Sequence, residues 1–286
     1  MAEIEIRPLN PIPAVFEQIA AFLRNSFPGV NKSMTSAYLE WCYQRNPDGT
    51  ALAFSAYEGE EVVAHFASTP MLTRVFGREE IGLLMQHGAT LPRCAGQGIF
   101  KSLVNRVMQI GAERGFSFAI AMANANSVFP LVHRLGFDYV GHLDVKLGFG
   151  PTARGRQDPQ SDFCRIWTPE ALAWRLSRPD MPYRIRREGE WTVVYADTGI
   201  FGIPVELGTY PTEKVPTFVD GFSTRNPVRV WIGLDPSRHW GVRPYITVPV
   251  RFRPAPLNVT ILDLTGSGRQ FKEERIRMDA LDFDAY

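Results

Sequence analysis

Apolar residues recur along the first half of the chain at two spacings. The spacing of three or four residues predicts helices over 14–25, 36–45 and 98–114. In the third helix the apolar stripe consists of Ile99, Phe100, Leu103, Val104, Val107 and Met108. Strand-like runs are predicted at 4–7, 51–57, 62–76, 81–89, 116–122 and 137–147. The run at 116–122 is apolar throughout much of its length, which is typical of a central strand. Asn126 or Ser127 is predicted to cap the helix that follows it.

One residue pattern occurs twice. Four residues recur 133 positions later, Thr35, Leu39, Trp41 and Arg45 as Thr168, Leu172, Trp174 and Arg178. Each copy is predicted to be a helix with its threonine near the start. Strand-like runs follow each copy, at 183–187 and 190–196 in the second half. Two unrelated amphipathic helices can share so short a pattern by chance, but the matching strand order favours an internal duplication.

Residues 150–162 separate the two copies. This segment is polar and rich in glycine and proline, as expected of a linker. We therefore predict a first domain at 1–149 and a second at 163–286.

Composition excludes several classes of function. The 286 residues carry a net charge of +1, so nothing indicates nucleic acid or an anionic membrane as a partner. No apolar run approaches the roughly 18 residues of a membrane-spanning helix, and the N-terminus lacks the features of a signal peptide. The three cysteines are scattered, which argues against a disulfide framework or a zinc site and for a cytoplasmic location.

The glycine turn within residues 90–100 is the most specific indication of function in the sequence. The strand at 81–89 leads into residues 90–100, where Gly96 and Gly98 allow backbone angles that a Cβ would forbid. The helix that opens there has unpaired amide groups, and its dipole favours negative charge. Strand, turn and helix together predict a phosphate-binding cradle.

This turn, the strand at 116–122, the sequence Asn-Ala-Asn-Ser at 124–127 and the Gly136-Phe137 pair resemble the core of the GNAT superfamily of N-acyltransferases. The resemblance covers residues 4–145. It implies a mixed α/β (α+β) fold, in which a mostly antiparallel twisted sheet is flanked by helices. It also implies that the second domain is a degenerate GNAT-like copy, because the second half has no glycine cradle. The family's phosphate-binding arginine falls on Ala95, and Arg93 lies two positions early.

The resemblance also implies a cofactor, acetyl-CoA or another acyl-CoA, and no metal. Its cofactor-binding positions fall on Gly88, Ala89, Thr90, Leu91, Ala95, Gly96, Gln97, Gly98, Ile99, Phe100, Asn124 and Asn126. The implied partner is a small-molecule amine acceptor, and a homodimer is left open.

Candidates for proton transfer are few. The family's usual tyrosine falls on Val132, next to His133 on the same helix. His87 lies on the strand that leads to the cradle, where an acyltransferase would need a base, and its imidazole titrates near neutral pH. The alternative to a catalytic role is, for His87, a hydrogen-bonded structural histidine on the sheet. For His133, it is an ordinary surface histidine. Trp41 and Tyr43 are candidate walls of an acceptor pocket, with core packing as the alternative.

Two functions remain open at this point. One is a coenzyme A-dependent N-acyltransferase that acts by direct transfer. The other is a non-catalytic GNAT-like binding or scaffolding protein with a decayed cofactor loop. Ala95 and Val132 favour the second, whereas the intact glycine turn and the residues 124–127 favour the first.

Overall fold

The computed structural model describes residues 3–27, 34–150, 152, 161–179, 181–199, 202–223, 226–238, 240, 244–253 and 257–283. Its helices are α1 (Pro13–Ser26), α2 (Ser36–Gln44), α3 (Ile99–Glu113), α4 (Ala125–Leu135) and α5 (Pro169–Leu176). The strands of the first half are β1 (Ile4–Pro8), β2 (Leu52–Glu58), β3 (Glu61–Val75), β4 (Arg78–Thr90), β5 (Phe118–Ala123), β6 (Asp138–His142) and β7 (Asp144–Phe149). Those of the second half are β8 (Phe163–Arg165), β9 (Arg184–Glu188), β10 (Trp191–Asp197), β11 (Pro204–Pro211), β12 (Val228–Leu234), β13 (Tyr245–Thr247), β14 (Asn258–Asp263) and β15 (Ile276–Asp279).

The first four strands form an antiparallel meander. β1 lies at the edge and pairs with β2, β2 pairs with β3, and β3 pairs with β4. β4 then runs parallel to β5, which is buried along most of its length. Helices α1 and α2 pack together on a core with Ile19, Leu23 and Leu39. Leu103 and Val107 of α3 pack in a second core with β2, β3 and β5, each burial contributing about 1.5–3 kcal/mol.

The single strand predicted at 137–147 is wrong, because the chain breaks at Leu143. The amide of Leu143 donates to the carbonyl of Leu257 at 3.0 Å, and the side chain of Leu143 is buried. β6 and β7, on either side of this break, enter different parts of the sheet. The helix cap is also corrected: Asn124, rather than Asn126 or Ser127, caps α4.

The two halves exchange strands across this break. β14, from the second half, lies between β5 and β6 and pairs with both. Conversely β7, from the first half, lies between β12 and β13. β8 and β15 link the two sets, because β8 pairs with β3 and β15 pairs with β12. In the described residues all fifteen strands therefore belong to one connected sheet. Of the predicted linker, residues 151 and 153–160 lie outside the described part of the chain.

The repeated pattern brings α2 and α5 together. The indole Nε1 of Trp41 donates to the carbonyl of Trp174 at 2.9 Å, and that of Trp174 donates to the carbonyl of Trp41 at 3.0 Å. The two rings stack with their centroids 4.6 Å apart. Thr35 and Thr168 cap their helices in the same way, each accepting a hydrogen bond from the amide three residues later. Equivalent residues thus meet each other reciprocally, as they do across a two-fold axis.

No helix within the described ranges is long and apolar enough to cross a membrane.

Candidate active site

A cavity opens where β4 and β5 separate. Their parallel pairing ends at Leu84 and Ile120, although β4 continues to Thr90 and β5 to Ala123. The cavity, of about 410 Å³, occupies the resulting gap. Its lining is mostly apolar and includes residues 84–88 of β4 and 121–123 of β5. The gap thus lies between the ends of the two strands that flank the glycine turn in the sequence.

His87 sits at a bulge on the wall of this cavity. His87 and Gly88 of β4 stand opposite the single residue Phe66 of β3. The bulge holds His87 at φ 53°, in the left-handed region that costs a residue with a Cβ about 1–3 kcal/mol. Histidine is one of the residues that tolerate this region best. The bulge turns the half-buried imidazole towards α2 while its edge lines the cavity.

The imidazole of His87 belongs to a chain of hydrogen bonds. Its Nδ1 lies 2.8 Å from the hydroxyl of Tyr43, and its Nε2 lies 3.1 Å from the hydroxyl of Tyr38. The hydroxyl of Tyr43 also lies 3.0 Å from Nε2 of His65. The other nitrogen of His65, Nδ1, lies 2.8 Å from Oγ of Ser55. The chain therefore runs inward from the cavity to a serine on β2.

Burial keeps the inner groups of this hydrogen-bond chain, His65 and Tyr43, uncharged. Desolvation, with a smaller effect of nearby His87, lowers the pKa of His65 from 6.5 to about 3. Desolvation also raises the pKa of Tyr43 well above 10. At neutral pH both groups are thus neutral, and each carries one proton that it can donate. The guanidinium of Arg178 is a charged group on the cavity wall, and it lies over the ring of Tyr38 at 4.9 Å.

The glycine turn forms an open N-terminus for α3. Gly96 and Gly98 have φ of 79° and 80°, and Gly98 is the residue that precedes the helix. The first helical bond joins the amide of Ser102 to the carbonyl of Gly98 at 3.0 Å. The amides of residues 99–101 come before that bond and have no acceptor within the helix. Residues 95–98 are exposed, so an anion can approach these amides.

Arg93 is directed away from this turn. Its Nη2 lies 3.0 Å from Oε2 of Glu58 and 2.7 Å from Oε2 of Glu61, at the end of the β2–β3 hairpin. The guanidinium of Arg93 is thus paired with this hairpin rather than with the glycine turn.

The side chain of Asn124 occupies the start of α4. Its Oδ1 accepts from the amides of Asn126 at 2.9 Å and Ser127 at 3.0 Å. Asn124 and Ser127 line the cavity, whereas Asn126 is exposed beside it. The predicted positions Asn124 and Asn126 are therefore close to the splayed ends of β4 and β5.

Other predicted site residues lie farther from the cavity lining. Ala89 and Thr90 pair with β3, and the amide of Leu91 donates to the carbonyl of Val63. Trp41 is 4% exposed and packs against Trp174. Tyr43 is buried behind His87, so it contacts the lining without forming part of it. Their predicted binding roles stay predictions.

His133 is exposed on α4, and its ring lies 4.6 Å from that of Phe129. It is not among the residues that line the cavity. Its role as a proton donor or acceptor stays a prediction.

Among the lining residues that sequence reasoning missed are Tyr38, Arg178, Leu257 and Phe283. Tyr38 could have been found from its spacing of four residues to Cys42, which places both on the same face of α2. The other three belong to the second half, and no local pattern indicates that they return to the first.

Residues 5–140 match the family model of the acetyltransferase (GNAT) domain. A conserved protein of Enterococcus faecalis is 11% identical, with a TM-score of 0.65 over 93% of this chain and 73% of that one. A GCN5-related N-acetyltransferase of Kribbella flavida is 13% identical, with a TM-score of 0.62 over 92% and 72%. Eis1 of Mycobacterium abscessus is 15% identical, with a TM-score of 0.58 over 91% and 74%.

At these identities the solved structures show the fold, and they confirm the predicted mixed α/β class with its mostly antiparallel sheet. No curated protein sequence matches. The family model confirms the predicted family and the predicted class of enzyme. The part of the chain at residues 5–140 is therefore a GNAT acetyltransferase domain.

Proposed function

We propose that this protein is a coenzyme A-dependent N-acyltransferase that moves an acyl group directly from acyl-CoA to the amine of a small acceptor. The observation that carries the proposal is the gap between β4 and β5, with His87 on its wall and the open amides of α3 beyond it. A cavity, a titratable group and an anion-binding helix end are the three parts that such a reaction needs.

The residues around the glycine turn fit acyl-CoA. The amides of residues 99–101 would bind the pyrophosphate, helped by the dipole of a helix of 15 residues. The gap between β4 and β5 would take the extended arm, beside the backbone of Gln86, His87 and Gly88. When bound, acyl-CoA supplies an activated thioester, so the chain itself needs no nucleophile.

Two side chains would then move the proton. Nε2 of His87 would take a proton from the attacking amine, as a general base. The hydroxyl of Tyr38, 3.1 Å away, would give its proton to the departing thiolate and recover one from His87. The proton lost by the amine thus ends on the sulfur, and both side chains return to their starting states.

The acceptor would enter from the side of the second half. Arg178, Leu257 and Phe283 line that side, and the described lining contains no aspartate or glutamate. A cavity of about 410 Å³ suits a small molecule. Among amines, this wall favours one with an apolar body.

Cofactor binding is tested by a change of charge at Gly98. Gly98→Asp places a carboxylate at the N-terminus of α3, whereas Gly98→Asn introduces a side chain of the same shape without the charge. Both variants carry the strain of φ 80°, so their difference isolates the charge. Calorimetry with acetyl-CoA should show a loss of about tenfold or more in Gly98→Asp relative to Gly98→Asn. Equal affinities would place the pyrophosphate elsewhere.

Acyl transfer is tested by release of free thiol from acetyl-CoA in the presence of a panel of primary amines. The expected result is release that depends on an amine and falls at least tenfold in His87→Asn, a variant that tolerates the left-handed backbone. If the parent protein binds no acetyl-CoA by calorimetry, the non-catalytic binding or scaffolding function replaces this proposal.

We also infer that the second half is a degenerate copy that binds no cofactor. The reciprocal contacts of Trp41 and Trp174 support the duplication. In the second half, the guanidinium of Arg238 lies 3.2 Å from Glu206 of β11 and 3.1 Å from Asp235, the residue after β12.

The charges around Arg238 support this inference. Arg238 is 5% exposed and Glu206 1%. Burial alone lowers the pKa of Arg238, but Asp279, Glu206 and Asp235 together raise it. Removing one member of such a cluster leaves a buried charge without compensation. The cluster therefore resists replacement by a bound ligand.

A further inference from the structure

The hydroxyl of Tyr43 lies between two imidazoles and has one proton to donate. It contacts Nδ1 of His87 at 2.8 Å and Nε2 of His65 at 3.0 Å. Each contact is a hydrogen bond only if one proton lies on it. Tyr43 supplies one of these protons, so one of the two imidazole nitrogens must supply the other.

This condition couples the tautomers of the two histidines. If Tyr43 donates to His65, then His87 carries its proton on Nδ1, and His65 carries its own on the nitrogen facing Ser55. If Tyr43 donates to His87, both imidazoles carry their protons on Nε2. The two rings therefore share one tautomer, either both Nδ1–H or both Nε2–H.

We propose that Tyr43 and His65 are positioning residues that hold the proton of His87 on Nδ1, so that Nε2 is the nitrogen that accepts. It accepts a hydrogen bond from Tyr38 in the free protein and the proton of the amine during the reaction. The proposal rests on the proposed function, because a base at His87 must accept the proton on the nitrogen next to Tyr38. In this state His65 donates from Nδ1 to Oγ of Ser55, 2.8 Å away.

Three features suit His65 and Tyr43 to this role. His65 is 0% exposed and Tyr43 1%, so water does not compete for their hydrogen bonds. The low pKa of His65, caused mainly by burial, keeps that ring from taking the proton that His87 removes from the amine. Both residues lie on regular elements, α2 and β3, which fix their positions more firmly than a loop would.

The tautomers can be measured directly in the full-length protein. The chain has five histidines, and ¹⁵N labelling of histidine with single substitutions assigns their signals. The expected result near neutral pH is that His65 and His87 both carry their proton on Nδ1. Nε2–H on both rings, or different tautomers on the two, would overturn the proposal. This measurement needs neither cofactor nor acceptor.

Kinetics with Tyr43→Phe then tests the effect on the reaction. This variant keeps the ring and removes the hydroxyl, so His87 should lose its preference for Nδ1–H. With acetyl-CoA and the best amine of the panel, kcat should fall about tenfold, with an unchanged KM for acetyl-CoA. Tyr195→Phe, which removes a buried hydroxyl on β10 in the second half, is the matched control and should leave kcat unchanged.

A double-mutant cycle separates the failure of each proposal. In a His87→Asn background, Tyr43→Phe should cause no further loss, because Tyr43 acts through His87. If His87→Asn leaves kcat unchanged, the assignment of the base fails. If His87→Asn lowers kcat but Tyr43→Phe does not, or if the two losses multiply, the base survives and only the positioning role is rejected.

Discussion

The buried imidazole of His65 predicts how the protein responds to acid. Its pKa is lowered mainly by burial, from 6.5 to about 3 in the folded chain. In the unfolded chain the ring is hydrated and regains a pKa of about 6.5. Between these two values the unfolded chain binds a proton that the folded chain does not. The free energy of unfolding must therefore fall as the pH falls through this window.

The size of the effect follows from the two pKa values. One pKa unit corresponds to about 1.36 kcal/mol, so His65 lowers the free energy of unfolding by about 2 kcal/mol between pH 8 and pH 5. The full shift is not reached until the pH approaches the folded pKa. His65 is 0% exposed, so solvent screening does not reduce this figure.

His65→Gln removes the titrating group and retains some hydrogen bonding. At pH 8 the variant should be less stable than the parent, because one glutamine cannot reach both Ser55 and Tyr43. From pH 8 to pH 5 the difference should shrink by about 2 kcal/mol. Urea unfolding followed by tryptophan fluorescence measures it at each pH. Asp282, whose pKa burial raises to about 6, acts with the opposite sign, but both proteins contain it.

His133→Gln is the control, since the ring of His133 is exposed on α4 in the folded protein. Its difference from the parent should vary little with pH. A constant difference between His65→Gln and the parent would refute the reasoning, because His65 would then take up its proton as readily in the folded as in the unfolded chain.

Two further predictions concern the cofactor turn and the exchanged strands. Ala95→Arg should strengthen acetyl-CoA binding by about 1–3 kcal/mol in calorimetry, because a guanidinium would join the exposed amides of α3, and Ala95→Gln should not. Unchanged or weaker binding by the folded arginine variant would argue for another ligand. A chain that ends at Gly150 lacks β14, whose Val259, Thr260 and Ile261 are 0% exposed, so it should be insoluble or unfolded by circular dichroism. A folded, monomeric product that binds acetyl-CoA would show that the halves are independent.

Local signals in the sequence determined most elements of the first half and the position of the glycine turn. The apolar stripe of α3 and the glycines before it act through neighbours in the chain, and their geometry follows from helical spacing and backbone freedom. The threonine caps of α2 and α5 are equally local, so the repeat was visible as a pattern at a fixed offset. His87 was a candidate because it lies on the strand that leads into the turn.

Tertiary structure alone decided which strands meet and which side chains face the cavity. β14 pairs with β5 across more than a hundred residues of chain, and the break at Leu143 that permits this exchange leaves no turn signal. Strand pairing depends on contacts between distant segments, whereas spacing within a segment reports only its own burial. For the same reason, the sequence did not indicate that Arg178 and Phe283 line the cavity. The contact between Tyr43 and the two histidines could not be predicted either, because it requires α2, β3 and the bulge of β4 to pack together.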